Sequence, residues 1–223
     1  MRAMILAAGR GERLRPLTDA IPKAMVQAGG KPLIAWHLER LAACGCREAV
    51  INVSHLGERI VQAIGDGARH GMRIAYSREA EPLETAGGIA QARELLGREP
   101  FLLVNADVYC EFDFARLLAF TLGTRLAHLV LVPNPPHRVG GDFSLEDGRV
   151  GNLGGARYTY AGIAVMSPEL VAGVRPGERA PLAPLLRSAA ERRLLSGELY
   201  RGTWQDVGTR ERLAELEAHL SSR

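Results

Sequence analysis

The sequence predicts an α/β fold: a Rossmann-like, mostly parallel sheet flanked by helices, in a single domain spanning residues 1–223. Three observations lead there. Short apolar runs alternate with amphipathic stretches as far as Val132, a glycine pair follows the first run at once, and no Ser- or Gly-rich linker or internal repeat divides the chain. Strands that alternate with helices imply right-handed crossovers, and so parallel strands buried on both faces.

Ala3 to Ala7 reads as the first strand, and Pro32 to Ala43 as a helix with Leu33, Ile34, Leu38 and Leu41 on one face. Glu48 to Val53 is a second strand, followed by a helix from about Gly57 to Ile64. Arg73 to Ser77 is a third strand and Thr85 to Leu96 a third helix. Phe101 to Val104 is a fully apolar fourth strand, with a helix near Phe114 to Phe120 and a fifth strand from Leu126 to Val132. From Pro133 to Gly155, glycine and proline predict loops with short strands. Tyr158 to Met166 is another strand, Leu182 to Leu195 a helix, and Arg210 to Leu220 a closing helix. The later part is expected to fold back over the carboxyl ends of the strands, where such sheets bind ligands.

Hydrophobic residues make up 47% and charged residues 24%, with a formal net charge of only +3. The useful charge is local: Arg2, Arg10, Arg13, Arg15, Lys23 and Lys31 face only Glu12 and Asp19 in the first 31 positions. A cationic entrance of this kind suits a polyanionic small molecule, whereas a nucleic-acid partner calls for longer basic tracts. Cys44, Cys46 and Cys110 are too few and too irregular for a disulfide framework or a zinc site, and the histidines are scattered. The opening apolar run is short and meets Gly9-Arg10-Gly11-Glu12-Arg13 at once, which favours a buried strand over a signal peptide. No apolar stretch is long enough to span a bilayer, so a cytoplasmic protein without a membrane partner is expected.

Gly9 and Gly11 follow the first strand directly, and without Cβ atoms they let the backbone turn and present its N–H groups to phosphate oxygens. Arg13 adds a guanidinium fork able to grip a phosphate bidentately. Neither standard nucleotide loop fits. A dinucleotide fingerprint needs a further glycine where Arg13, Leu14 and Arg15 stand, and Gly30-Lys31 runs into Pro32. Pro16-Leu17-Thr18 and Pro22-Lys23-Ala24-Met25 form a proline-pinned excursion, in which Lys23 is either a solvated loop lysine or a cation aimed back at phosphates. Asp107 follows a buried strand and Asp206 precedes the last helix; together they suit magnesium, which takes one or two carboxylates and completes its shell with phosphates and water. Alone, Asp107 is also a good turn residue and Asp206 a good helix cap.

Leu6-Ala7-Ala8-Gly9-Arg10-Gly11-Glu12-Arg13, then Pro16-Leu17-Thr18, Pro22-Lys23 and Gly30-Lys31-Pro32, resemble the signature of sugar-phosphate nucleotidyltransferases. The likeness is nearest to the bacterial N-acetylmuramate 1-phosphate uridylyltransferase subgroup. It continues through Glu81-Pro82-Leu83-Glu84-Thr85, Leu102-Leu103-Val104-Asn105, Gly141-Asp142-Phe143 and Tyr200-Arg201-Gly202, and this short subgroup has no C-terminal β-helix. The resemblance implies a GT-A-like fold with a nucleotide-binding half, 1–110, and a sugar-phosphate-binding half, 111–223. It implies Mg2+ on Asp107 and Asp206, and catalysis by Arg13, Lys23 and Asp107. Nucleotide contacts are expected from Ala8, Gly9, Gly11, Glu12, Arg13, Lys23, Thr85 and Gly87, although Thr85 also reads as a helix cap and Gly87 as a packing residue. Asn105, Asp142 and Gly162 are expected to line the sugar pocket, with Arg201 as the cation for an acidic sugar. The implied substrates are UTP and N-acetylmuramate 1-phosphate, in peptidoglycan recycling, acted on by a monomer or weak homodimer. Three alternatives remain: a mannose 1-phosphate guanylyltransferase, a regulatory module that has lost catalysis, and a dinucleotide-dependent oxidoreductase. The presence of Arg13, Lys23, Asp107 and Asp206 argues against the second, and the failed glycine fingerprint against the third. The chain departs from the family pattern at Val26 to Pro32, at Ala106 between Asn105 and Asp107, and in lacking a Glu-Lys-Pro motif between Asp142 and Tyr160.

Overall fold

The computed structural model describes residues 1–222. In chain order its first half contains β1 (Ala3–Leu6), α1 (Leu17–Ala20), β2 (Gln27–Ala28), β3 (Lys31–Pro32), α2 (Leu33–Ala43), β4 (Glu48–Val53), α3 (Gly57–Ile64), β5 (Arg73–Arg78), α4 (Glu84–Gln91), α5 (Arg93–Leu96), β6 (Phe101–Asn105) and β7 (Val108–Cys110). The second half contains α6 (Phe114–Leu118), β8 (Ala127–Val132), β9 (Phe143–Glu146), β10 (Arg149–Gly151), β11 (Arg157–Met166), α7 (Leu182–Glu191), β12 (Leu195–Leu199), β13 (Trp204–Asp206) and α8 (Arg210–Ser221).

Nine strands form one sheet in the order β5-β4-β1-β6-β11-β8-β12-β10-β9. The first four run parallel, as the alternation of strands and helices requires. The second half departs from a mostly parallel sheet. β11 pairs antiparallel with both β6 and β8, and β9 and β10 add an antiparallel edge, so the whole is mixed. The side-chain period of two sorts each strand between two cores. Ile5 and Val104 point to the side covered by α2, α3 and α6, with Leu38, Ile60 and Phe114; Met4 and Leu103 point to the other side, with Ile89 and Leu186. A smaller cluster of Leu14, Val26, Leu33, Tyr109, Val207 and Leu216 seats the proline-pinned excursion against α8.

Leu195 was expected to end a helix. Instead α7 stops at Glu191, Arg193 takes a left-handed φ of 58°, and Leu195–Leu199 enters the sheet beside β8. Burial of Leu195, Ser196 and Gly197 between neighbouring strands explains the outcome, since a five-residue run holding a serine and a glycine carries little periodicity of its own. The expected helix from Thr85 to Leu96 divides at Ala92 into α4 and α5.

Besides the β6–β11 and β7–β13 pairings, a tight backbone contact joins the start of α4 to the segment before α7. Ala86 and Gly87 donate their N–H groups to the Ala180 carbonyl at 3.0 and 3.1 Å, and Ala180 N–H donates to the Leu83 carbonyl at 3.0 Å. A Cβ at Gly87 would collide with the Glu178 carbonyl. Gly87→Ala is therefore expected to lower unfolding free energy by about 1–3 kcal/mol, the usual range for overpacking, read from denaturant midpoints. Buried His37 makes a pH prediction. Burial lowers its pKa from 6.5 to about 4, against a smaller opposing pull from the backbone of Val108 and Asn105. The unfolded chain takes up this proton first, so stability falls as pH drops from about 6.5 towards 4, and His37→Leu should flatten that part of the stability–pH curve.

Candidate active site

The carboxyl ends of β1 and β6 open into a cleft walled by Ala7, Ala8, Gly9, Lys23, Thr85 and Asp107. A second hollow, with Arg10, Glu12, Arg13 and Arg179 around it, shares Gly11, Lys23 and Pro82 with the first. The two are one continuous site. Its outer end is cationic, as the local charge of the first 31 positions implies.

The two loop glycines have different reasons. Gly11 has φ +66°, its carbonyl accepts the Thr18 hydroxyl at 2.8 Å, and a Cβ there would lie 2.9 Å from Thr18 Cγ2 and 3.1 Å from Lys23 Cβ. The backbone itself demands glycine. A Cβ at Gly9 would meet nothing within 4 Å, so the space it would fill is open cleft, available to a ligand.

Pro22 leads into a single turn, Lys23–Met25, which aims Lys23 inward. Its Nζ is in contact with Asp107 Oδ2, with the two side chains 14% and 30% exposed. Asn105, at the end of β6, folds its side chain over Gly162, where φ is +74° and a Cβ would lie 2.7 Å from Asn105 Nδ2. Gly162 falls where the β11–β8 register shifts between Tyr160 and Ala164, so the glycine both permits the irregularity and clears room for Asn105.

Asp206 comes to Asp107 by strand pairing. It lies opposite Val108 in the β13–β7 ladder, and Val207 N–H donates to the Asp107 carbonyl at 2.7 Å. One carboxylate oxygen of Asp206 meets Arg212 Nη1. The other, Oδ1, is buried and accepts no hydrogen bond, with His137 Nε2 its ionic neighbour at 3.1 Å. A carboxylate in the turn just before β7 and another at the end of β13, the latter with a buried oxygen that accepts no hydrogen bond, fit a hard divalent cation whose remaining ligands come from phosphates and water. Arg13 lays its guanidinium over Gly208, where a Cβ would lie 2.9 Å from Nη2, and makes no ion pair among the described residues.

Some expected residues are placed otherwise. Thr85 walls the cleft but caps nothing, since the helix starts after Leu83 without a side-chain cap. Gly87 is spent on packing and on the Ala180 carbonyl, and does not line the cleft. Asp142 accepts from Arg138 and from Tyr160 N–H, both at 2.9 Å, which ties its turn to β11 instead of opening towards the cleft. Arg201 is exposed, lines neither hollow, and has no ion-pair partner among the described residues.

Three features escaped the sequence. His137 and Arg212 gather on Asp206, with 2.8 Å between Arg212 Nη1 and His137 Nε2. Arg179 reaches the hollow around Arg10 and Arg13 from the second half. Asn52 takes the Ala7 N–H on Oδ1 at 2.8 Å and donates from Nδ2 to Glu79 Oε1 at 2.6 Å, while Glu79 Oε2 takes the Leu83 N–H at 2.9 Å. Burial raises the Glu79 carboxyl above its ordinary pKa. The available signal was Asn52 itself, a polar residue near the end of an apolar strand, as Asn105 is. Asn52→Ala leaves two buried groups unpaired, each worth about 1–3 kcal/mol, and should lower both thermal stability and nucleotide affinity; a change in stability alone would separate scaffold from site.

Residues 2–138 match the nucleotidyl transferase family. The chain is 50% identical, over 98% of its own length and 97% of the relative's, to an N-acetylmuramate alpha-1-phosphate uridylyltransferase from Neisseria meningitidis serogroup B. It is 31% identical, over 93% of its length, to a mannose-1-phosphate guanylyltransferase catalytic subunit beta from Drosophila pseudoobscura pseudoobscura, of which it spans only 59%. A solved structure from Bacillus anthracis, ascribed to a glucose-1-phosphate thymidylyltransferase, superposes with a TM-score of 0.88 at 18% identity, covering 100% of this chain and 96% of that one, which shows the shared fold. On the family match and the near-full-length relative, the chain belongs to the nucleotidyl transferase family and is a sugar-phosphate nucleotidyltransferase.

Proposed function

We propose that the protein transfers UMP from UTP to N-acetylmuramate 1-phosphate, giving UDP-N-acetylmuramate and pyrophosphate, a cytoplasmic step of peptidoglycan recycling. The observation that carries the chemistry is Lys23 in contact with Asp107 where the two hollows of the cleft meet, with the glycine loop on one side and Asn105 on the other. The relative that is half identical over nearly the whole chain supports the choice of base and sugar.

An oxygen of the sugar phosphate attacks the α-phosphorus in line. A new P–O bond forms as the bond to the bridging α–β oxygen breaks, and pyrophosphate leaves. The attacking phosphate is already an anion near neutral pH, so no general base is needed, and rate comes from alignment and charge neutralisation. Lys23 turns from Asp107 to the phosphates at the reacting centre. Arg13, free of any ion pair among the described residues, takes the leaving pyrophosphate. Ala8, Gly9 and Gly11 supply backbone and room along the polyphosphate, with Glu12 at its outer end and Thr85 beside the nucleoside. Asn105 over Gly162 faces the sugar, and exposed Arg201 is the candidate for the lactyl carboxylate. Magnesium held by Asp107 and Asp206 would neutralise the charge shared by the nucleotide and the incoming phosphate.

Lys23→Ala should lower kcat by about 10²–10³-fold, the scale for one lost transition-state donor, while circular dichroism and melting stay near wild type. Release of pyrophosphate from UTP should be fastest with N-acetylmuramate 1-phosphate, against N-acetylglucosamine 1-phosphate and glucose 1-phosphate. Preference for GTP with mannose 1-phosphate would replace the substrates and keep the reaction.

A further inference from the structure

The mechanism leaves Arg10 and Arg179 of the cleft unused, and only Arg179 comes from the second half. Arg179 borders the same hollow as Arg10, Arg13 and Lys23, yet it comes from the segment between β11 and α7. Its backbone anchor is firm, because the next residue, Ala180, exchanges three hydrogen bonds with Leu83, Ala86 and Gly87. Its side chain is loosely held. Arg179 Nε donates to Glu84 Oε1 at 2.9 Å, with the two side chains 73% and 40% exposed, and a pair so open to water is weak.

Glu84 is itself unusual. It opens α4 with φ +60°, a left-handed conformation that a glutamate adopts at a cost, and it lines the inner hollow. A carboxylate there repels a polyphosphate unless a cation answers it. Arg179 answers it, and the same guanidinium faces the hollow that holds Arg13.

We propose that Arg179 is a second polyphosphate-binding arginine, which exchanges Glu84 for the outer phosphates of the nucleoside triphosphate. Glu84 competes for it and so limits how tightly pyrophosphate is retained. This assignment rests on the nucleotidyltransferase reading of the cleft and adds to it a residue from the second half. It requires no particular base or sugar. The two phosphates it names leave together as product, so the competition acts on product release as much as on substrate binding.

Calorimetry on the full chain with inorganic pyrophosphate and with UTP, both with magnesium, tests the exchange. Arg179→Ala should weaken both ligands about tenfold, the loss expected of one charge-assisted contact, and Arg179→Lys should recover part of it. Glu84→Gln should act in the opposite direction, tightening pyrophosphate and lowering its product-inhibition constant. If Arg179→Ala and Glu84→Gln instead shift melting alike and leave both affinities unchanged, the pair is a structural latch and the assignment is wrong. Wild-type binding of pyrophosphate and UTP without turnover of N-acetylmuramate 1-phosphate would discard the sugar assignment while the Arg179 result still stands. A wild-type chain that binds neither ligand overturns both.

Discussion

The cleft depends on a buried asparagine. Asn52 lies where β4 ends beside β1, and its amide joins the first residue after β1 to the far wall of the site through Glu79 and the Leu83 N–H. A glycine loop has little stiffness of its own, so its mouth stays fixed only if something rigid holds the strand that feeds it. Three buried polar groups that would be costly alone satisfy one another here. Gly88 belongs to the same arrangement, since a Cβ there would lie 2.8 Å from Asn52 Nδ2 and 2.7 Å from Glu79 Oε1. The spacing between phosphate loop and nucleoside wall follows from this relay.

The cations around the cleft are distributed by a second rule. Lys23 is held by Asp107, Arg212 by Asp206 and Arg179 by Glu84, while Arg13 is left free of ion pairs among the described residues. Crowding that many positive charges without acids between them would destabilise the empty protein. Each acid lowers that repulsion, and the exchange proposed on binding would be graded by exposure. Arg212, 11% exposed, is committed to Asp206, whereas Arg179, 73% exposed, is free to trade partners. Lys23 lies between them, buried enough to be aimed and open enough to move.

This grading bears on what the sequence showed. The first half was legible because its elements carry their own periodicity, and the parallel direction of β1, β4, β5 and β6, though not their order, follows from alternation. Gly11, Asn105 and Asp107 were legible because they stand at or shortly after the ends of strands β1 and β6, and Lys23 because two prolines pin the excursion that carries it. β12 was not, because its place is set by neighbours on both sides and not by pattern. Arg179, His137 and Asn52 were hidden for a related reason: each acts across a long sequence separation, and a lone arginine, histidine or asparagine has many ordinary uses. Asp142 shows the converse, a plausible ligand in a glycine turn whose carboxylate is occupied by Arg138 and the backbone of Tyr160.

The phosphate end is completed by the last part of the chain. Gly208 carries the Arg13 guanidinium against it, Asp206 reaches Asp107 through the β7–β13 ladder, and Thr209 caps the helix that supplies Arg212. The Ala180 segment closes the opposite rim. A site divided in this way cannot form on the first half alone, even though that half carries most of the recognisable signature. Without the second half, the second aspartate, the surface under Arg13 and the Arg179 cation would all be missing. In the proposed reaction, charge neutralisation at the reacting phosphorus therefore needs both halves of the chain. The mixed topology of the second half serves that end, because antiparallel β11 carries the chain away from the cleft edge and β12, parallel to β8 from Leu195 to Leu199, brings it back there ahead of Asp206.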